Sequence, residues 1–146
     1  GETGYICLVK LSDYFNFIKN SDGKLNRGIF EANVRDYQGN NSVNKQIQQT
    51  LQSEIGEDFW WLNNGVTILA SRAEITRKTL QIQNPEIVNG LQTSFAVFNY
   101  FSSITPQPED PRNILIRVIV PSKPESRDRI IRATNSQTPI PEEALR

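Results

Sequence analysis

"PEIVNGLQTSFAVFNYF", residues 85–101, changes character twice within a few positions. The β-formers Ile87 and Val88 give way at Asn89-Gly90 to the polar group Gln92, Thr93 and Ser94. Apolar residues at helical spacing, Leu91, Phe95 and Phe98, run through and beyond it. The pattern predicts a short buried strand that hands over through a glycine to a buried helix. At such a junction the first N–H groups of the helix lack intrahelical acceptors, and the helix dipole favours an anion there. Gly90 lets a ligand approach the backbone, and Thr93 and Ser94 add hydroxyl donors. The same residues equally make an ordinary turn and cap. No Lys or Arg lies inside the stretch, so it is not a P-loop.

A second Asn-Gly junction, Asn64-Gly65, stands in "FWWLNNGVTI" (residues 59–68) ahead of another apolar strand. If the two bends converge, Asn63 and Asn64 face Asn89 and Gly90 across one cleft, and Trp60 or Trp61 offers a stacking surface. "FEANVRDYQG" (residues 30–39) supplies Arg35 between Glu31 and Asp36. Arg35 is either half of a local ion pair or a counter-charge for phosphate.

Composition narrows the chemistry. The chain has 146 residues, 37% hydrophobic and 22% charged, which suits one folded domain spanning 1–146. Sixteen basic residues balance sixteen acidic ones, so net charge gives no argument for nonspecific nucleic-acid binding. The absence of His removes Ser-His-Asp and Cys-His nucleophiles, and with a lone Cys7 no metal site is expected. Cys7 fits a reducing compartment, so the expected location is the cytoplasm; no apolar run suits a membrane span. The absence of Met and the ending "PEEALR" suggest a piece of a longer protein. Amides are plentiful, and they donate and accept without a charge.

Along the chain, "YICLVKL" reads as a strand and "SDYFNFIKN" as a helix capped by Ser12. "VNKQIQQTLQSEI" is an amphipathic helix behind Ser42, and "VTILASRAEI" with "TLQIQ" forms a hairpin across "TRK". "TPQPEDPRN" reads as a surface loop, "ILIRVIVP" as a strand, and "SKPESRDRIIRATN" as a helix with a basic, solvated face. Mixed strands and helices define an α+β fold: a mixed sheet with flanking helices.

Five blocks, "IFEANVRDYQG", "VNKQIQQTL", "FWWLNNGVTI", "PEIVNGLQTS" and "RATNSQTPI", together resemble the abortive-infection phage-resistance (AIPR) family in order, from Gly28 to Ile140. The resemblance implies a bacterial phage-defence protein. "EIVNGLQTSFAVF" is also similar to the DGQQR or DGQHR turn of ParB/sulfiredoxin-like domains, in which a strand, a glycine turn and a helix bind nucleotide phosphates. Here Asn89 and Thr93 stand where that motif has Asp and Arg.

The expectation is therefore a domain that binds a nucleotide or nucleic-acid phosphate. The named site is Arg35, Asn63, Asn64, Gly65, Asn89, Gly90, Gln92, Thr93 and Ser94, with Asn33, Asn44, Asn135 and Gln137 at the rim. A nucleoside triphosphate with Mg²⁺ is the cofactor to test, and flanking domains of the same protein are further partners. Two alternatives stay open: a metal-dependent nuclease or NTPase using Glu31, Asp36 or Glu86, and a non-catalytic protein-interaction module.

Overall fold

The computed structural model describes residues 3–31, 65–104, 110 and 112–135. Strand β1 (Thr3–Lys10) passes without a loop into helix α1 (Leu11–Ile18). Lys10, in extended conformation and with no side-chain cap bond, ends the strand and caps the helix. Ser12, expected as the cap, sits inside the first turn instead. The helix starts two residues early, and the Leu11 N–H that opens it donates to the Arg112 carbonyl at 3.0 Å. Leu11, Tyr14, Phe15 and Ile18, at helical spacing, form its buried face.

The remaining elements are β2 (Val66–Leu69), β3 (Arg72–Thr76), β4 (Thr79–Gln83), β5 (Glu86–Asn89), α2 (Leu91–Ser102), β6 (Asn113–Val120) and α3 (Pro124–Asn135). The main sheet is four-stranded, in the order β1-β6-β2-β5. β1 and β6 are antiparallel, β6 and β2 parallel, and β2 and β5 antiparallel. This is the mixed sheet with flanking helices that the sequence predicts.

Alternation along β6 puts Ile114, Ile116 and Val118 on one face of the sheet. There they join Val66, Ile68 and Ile87 against α1 and against Ala96, Val97 and Phe101 of α2. Phe15 and Phe101 stack at 5.5 Å between centroids. On the opposite face Leu69 and Val88 pack with Ile131 of α3. Helices thus cover the sheet from both sides.

Two side-chain clamps hold α3 along β5. Arg127 grips the Glu86 carboxylate at 2.6 to 3.1 Å, and the Asn89 side-chain amide donates to the Thr134 carbonyl at 3.1 Å. Glu86 to Asn89 in a strand and Arg127 to Thr134 in a helix each span about 10 Å, so both clamps close without distortion.

The run "VTILASRAEI" is not one strand. It breaks at Ala70-Ser71, where the Ser71 N–H donates to the Gln83 carbonyl at 2.9 Å and the chain leaves the main sheet. β3 and β4 then form a separate two-stranded sheet. Among the described residues, no helix is long and apolar enough to cross a membrane.

Candidate phosphate-binding turn

The two glycine bends meet. Gly90, at φ 104, is the N-cap of α2. A Cβ there would lie 2.8 Å from Val66 Cγ2 and 3.0 Å from the Gly65 carbonyl oxygen. Gly65, at φ 81, is pressed in turn against β6: its Cβ would come within 2.4 Å of the Leu115 oxygen. Both positions need a left-handed backbone and the absence of a side chain. The antiparallel pairing of β2 with β5 brings them together, since it sets Thr67 opposite Asn89. The start of β2 and the end of β5 therefore share one end of the sheet.

The N–H groups of Leu91, Gln92 and Thr93 open α2 and have no acceptor within the helix. Gly90, the N-cap, has no side chain with which to cap them. The first helical bond runs from the Ser94 N–H to the Gly90 carbonyl at 2.9 Å. Gln92 is half-buried beside these amides, and Thr93 is buried.

Two expected contacts are corrected by the packing. Ser94 has no exposed surface, so it cannot touch a ligand. Its hydroxyl donates to the Gly90 carbonyl at 2.8 Å and lies 2.7 Å from the Tyr14 phenol, which donates to it. The Asn89 side-chain amide donates to the end of α3, as described above. Both residues build the turn, and the main-chain amides of Leu91, Gln92 and Thr93 stay as its candidate donors.

Tyr14 is the participant that sequence reasoning missed. Its place among the apolar residues of α1 marks it as a core aromatic and nothing more, yet its hydroxyl reaches across to Ser94 in the first turn of α2. Burial holds the phenol neutral by pushing its pKa far above the ordinary value, against the smaller opposing effect of the Ser94 hydrogen bond. Tyr14→Phe should lower unfolding stability by about 1 kcal/mol, read as an earlier urea midpoint at unchanged slope.

Glu31 is buried, and its N–H donates to the Ile87 carbonyl at 2.9 Å, alongside β5. Glu86 begins β5 and therefore sits at the opposite end of that strand from Gly90, gripped by Arg127. That end holds a cavity of about 370 Å³ lined by Ser71, Asn84, Glu86, Lys123 and Arg127, among others. Arg127, read as part of a solvated face, is thus a structural clamp. Among the described residues no three His, Cys, Asp or Glu side chains are grouped to hold a metal. Arg35, Asp36, Asn33, Asn44, Asn63, Asn64 and Gln137 lie outside the described residues; Asn135 closes α3.

The fold and the turn define a sheet-and-helix protein whose second helix opens at a glycine junction. The family model described as AIPR protein matches residues 30–146, and the chain belongs to that family. Membership associates it with abortive-infection phage defence. No curated protein and no solved structure matches the chain.

Proposed function

We propose that this chain serves phage defence by binding the phosphate of a nucleotide or nucleic acid at the start of α2, as one domain of a longer cytoplasmic protein. The observation that carries the reading is the contact of Gly90 with Gly65. With glycine at the N-cap, the N–H groups of Leu91, Gln92 and Thr93 have no cap from the N-cap side chain. A phosphate there gains hydrogen bonds and a favourable helix dipole. The similarity of the strand, glycine turn and helix to the ParB/sulfiredoxin-like motif supports the same ligand class. Arg35, Asn63 and Asn64 are the residues proposed to complete the site, with Asn33, Asn44, Asn135 and Gln137 at its rim.

The test is thermal unfolding with nucleoside triphosphates and Mg²⁺, and with short oligonucleotides. A ligand at about 100 times its dissociation constant adds about 2.7 kcal/mol, a shift of several degrees for a domain of this size. Gln92→Glu sharpens the result. A carboxylate in the first turn suits the helix dipole, so the unliganded protein should hold or gain stability. It also repels phosphate, so the ligand-induced shift should shrink or vanish. No shift with any of these ligands would remove the proposal.

A further inference from the structure

β3 and β4 stand apart from the main sheet as a ribbon with two unlike faces. The register sets Arg72 opposite Gln83, Glu74 opposite Gln81 and Thr76 opposite Thr79, and all six of these residues are exposed. The other face carries Ala73, Leu80 and Ile82, half-buried against the main core, and Ile75, which emerges from it 59% exposed. The ribbon is anchored at its base by Ser71, whose N–H and hydroxyl both donate to the Gln83 carbonyl.

Its tip is built from the wrong residues for a turn alone. Arg77 and Lys78 join the strands at φ 50 and φ 66. Two consecutive left-handed residues make the hairpin turn for which Asn-Gly is the preferred pair, and a side chain on each disfavours it. The turn instead displays two cations. Arg72 lies 3.8 Å from Glu74, whereas neither Arg77 nor Lys78 has an ion-pair partner among the described residues. The ribbon thus concentrates positive charge on a chain whose net charge is zero.

We propose that this ribbon docks on duplex DNA, with Arg77 and Lys78 on the phosphate backbone and the face of Arg72, Glu74, Thr76, Thr79, Gln81 and Gln83 turned to the groove, where the Glu74 carboxylate, offset by Arg72 at 3.8 Å, can accept from a cytosine amino group. The major groove of B-form DNA is about 12 Å wide and admits a two-stranded ribbon, and Gln and Thr side chains suit base edges there. The deep, narrow major groove of duplex RNA does not admit side chains in this way. The ribbon lies at the opposite end of β2 and β5 from the Gly65–Gly90 junction, so this surface is independent of the phosphate-binding turn.

Fluorescence anisotropy with a labelled DNA duplex tests it. Two phosphate contacts predict a log–log salt slope of about −1.8, and hence about a twelvefold loss of affinity between about 50 and 200 mM salt. The double variant Arg77→Asn/Lys78→Gly installs the preferred turn pair while removing both cations. It should melt at the same temperature or higher, yet bind DNA at least about tenfold more weakly at the lower salt, with the slope lost. Its response to nucleoside triphosphates should be unchanged, which separates this surface from the turn. The proposal is overturned if the wild-type chain does not bind duplex DNA at low salt, if the double variant binds as wild type does, or if duplex RNA binds as tightly.

Discussion

Gly65→Ala is expected to cost about 3–5 kcal/mol, a large share of the about 5–15 kcal/mol that holds a domain folded. Two effects add. The backbone stands at φ 81, which a residue with a Cβ adopts only under strain, and that Cβ would lie 2.4 Å from the Leu115 oxygen and 3.2 Å from its Cβ. Neither obstacle can swing aside, because Leu115 belongs to β6, held between β1 and β2. Gly23→Ala separates the two effects. Gly23 has nearly the same φ, 78, but a Cβ there meets nothing within 4 Å. It should cost only about 1 kcal/mol, the strain without the clash. Urea midpoints for the two variants give the comparison; equal losses would mean that close approach at Gly65 contributes nothing.

Asp110→Ala is expected to be comparably damaging. Asp110 and Arg112 are 9% and 7% exposed, and their side chains meet through Nε–Oδ1 at 3.0 Å and Nη2–Oδ2 at 2.6 Å. The Arg112 N–H also donates to Asp110 at 3.0 Å, and the guanidinium lies over the Tyr100 ring. Removing the carboxylate leaves a buried cation short of its partner, at about 3–5 kcal/mol. The double variant Asp110→Ala/Arg112→Met should recover part of that loss, since it removes the buried charge as well. The pair also sets a pH dependence. Burial raises the Asp110 pKa, but the Arg112 side-chain and backbone hydrogen bonds outweigh it and hold the carboxyl below its ordinary value. Its contribution is therefore fully present above the ordinary carboxylate range and lost as pH falls below it. Stability measured from neutral pH into acid should drop less in Asp110→Ala than in the wild type.

These two sites show where the sequence could be read and where it could not. The strand "EIVN", the helix after Gly90 and the strand "ILIRVIV" were legible because burial imposes period 2 or 3.6 on apolar residues. The convergence of Gly65 and Gly90 was legible only as a conjecture: an Asn-Gly pair announces a bend, not its neighbour. "TPQPEDPRN" read as a surface loop because Pro marks loops, yet Asp110 and Arg112 are buried at its end. Burial became possible because the two charges satisfy each other, a fact that composition does not carry. Ser71 ended a strand in mid-pattern because its hydrogen bond to Gln83 outweighed the continuing alternation. Ser94 and Asn89 looked like ligand contacts because a polar residue beside a glycine has the same appearance whether its partner is a phosphate or the protein. Their partners, Tyr14 and Thr134, lie far away along the chain.

The central claim is that the amides opening α2 receive a phosphate. Titrating the ¹⁵N-labelled chain with a nucleoside triphosphate and Mg²⁺, then with inorganic phosphate, tests it residue by residue. Saturable shifts concentrated at Gly90, Leu91, Gln92 and Thr93, and weakened in Gln92→Glu, are the predicted result. Unmoved amides at those four positions, at ligand concentrations that shift resonances elsewhere in the chain, would contradict it.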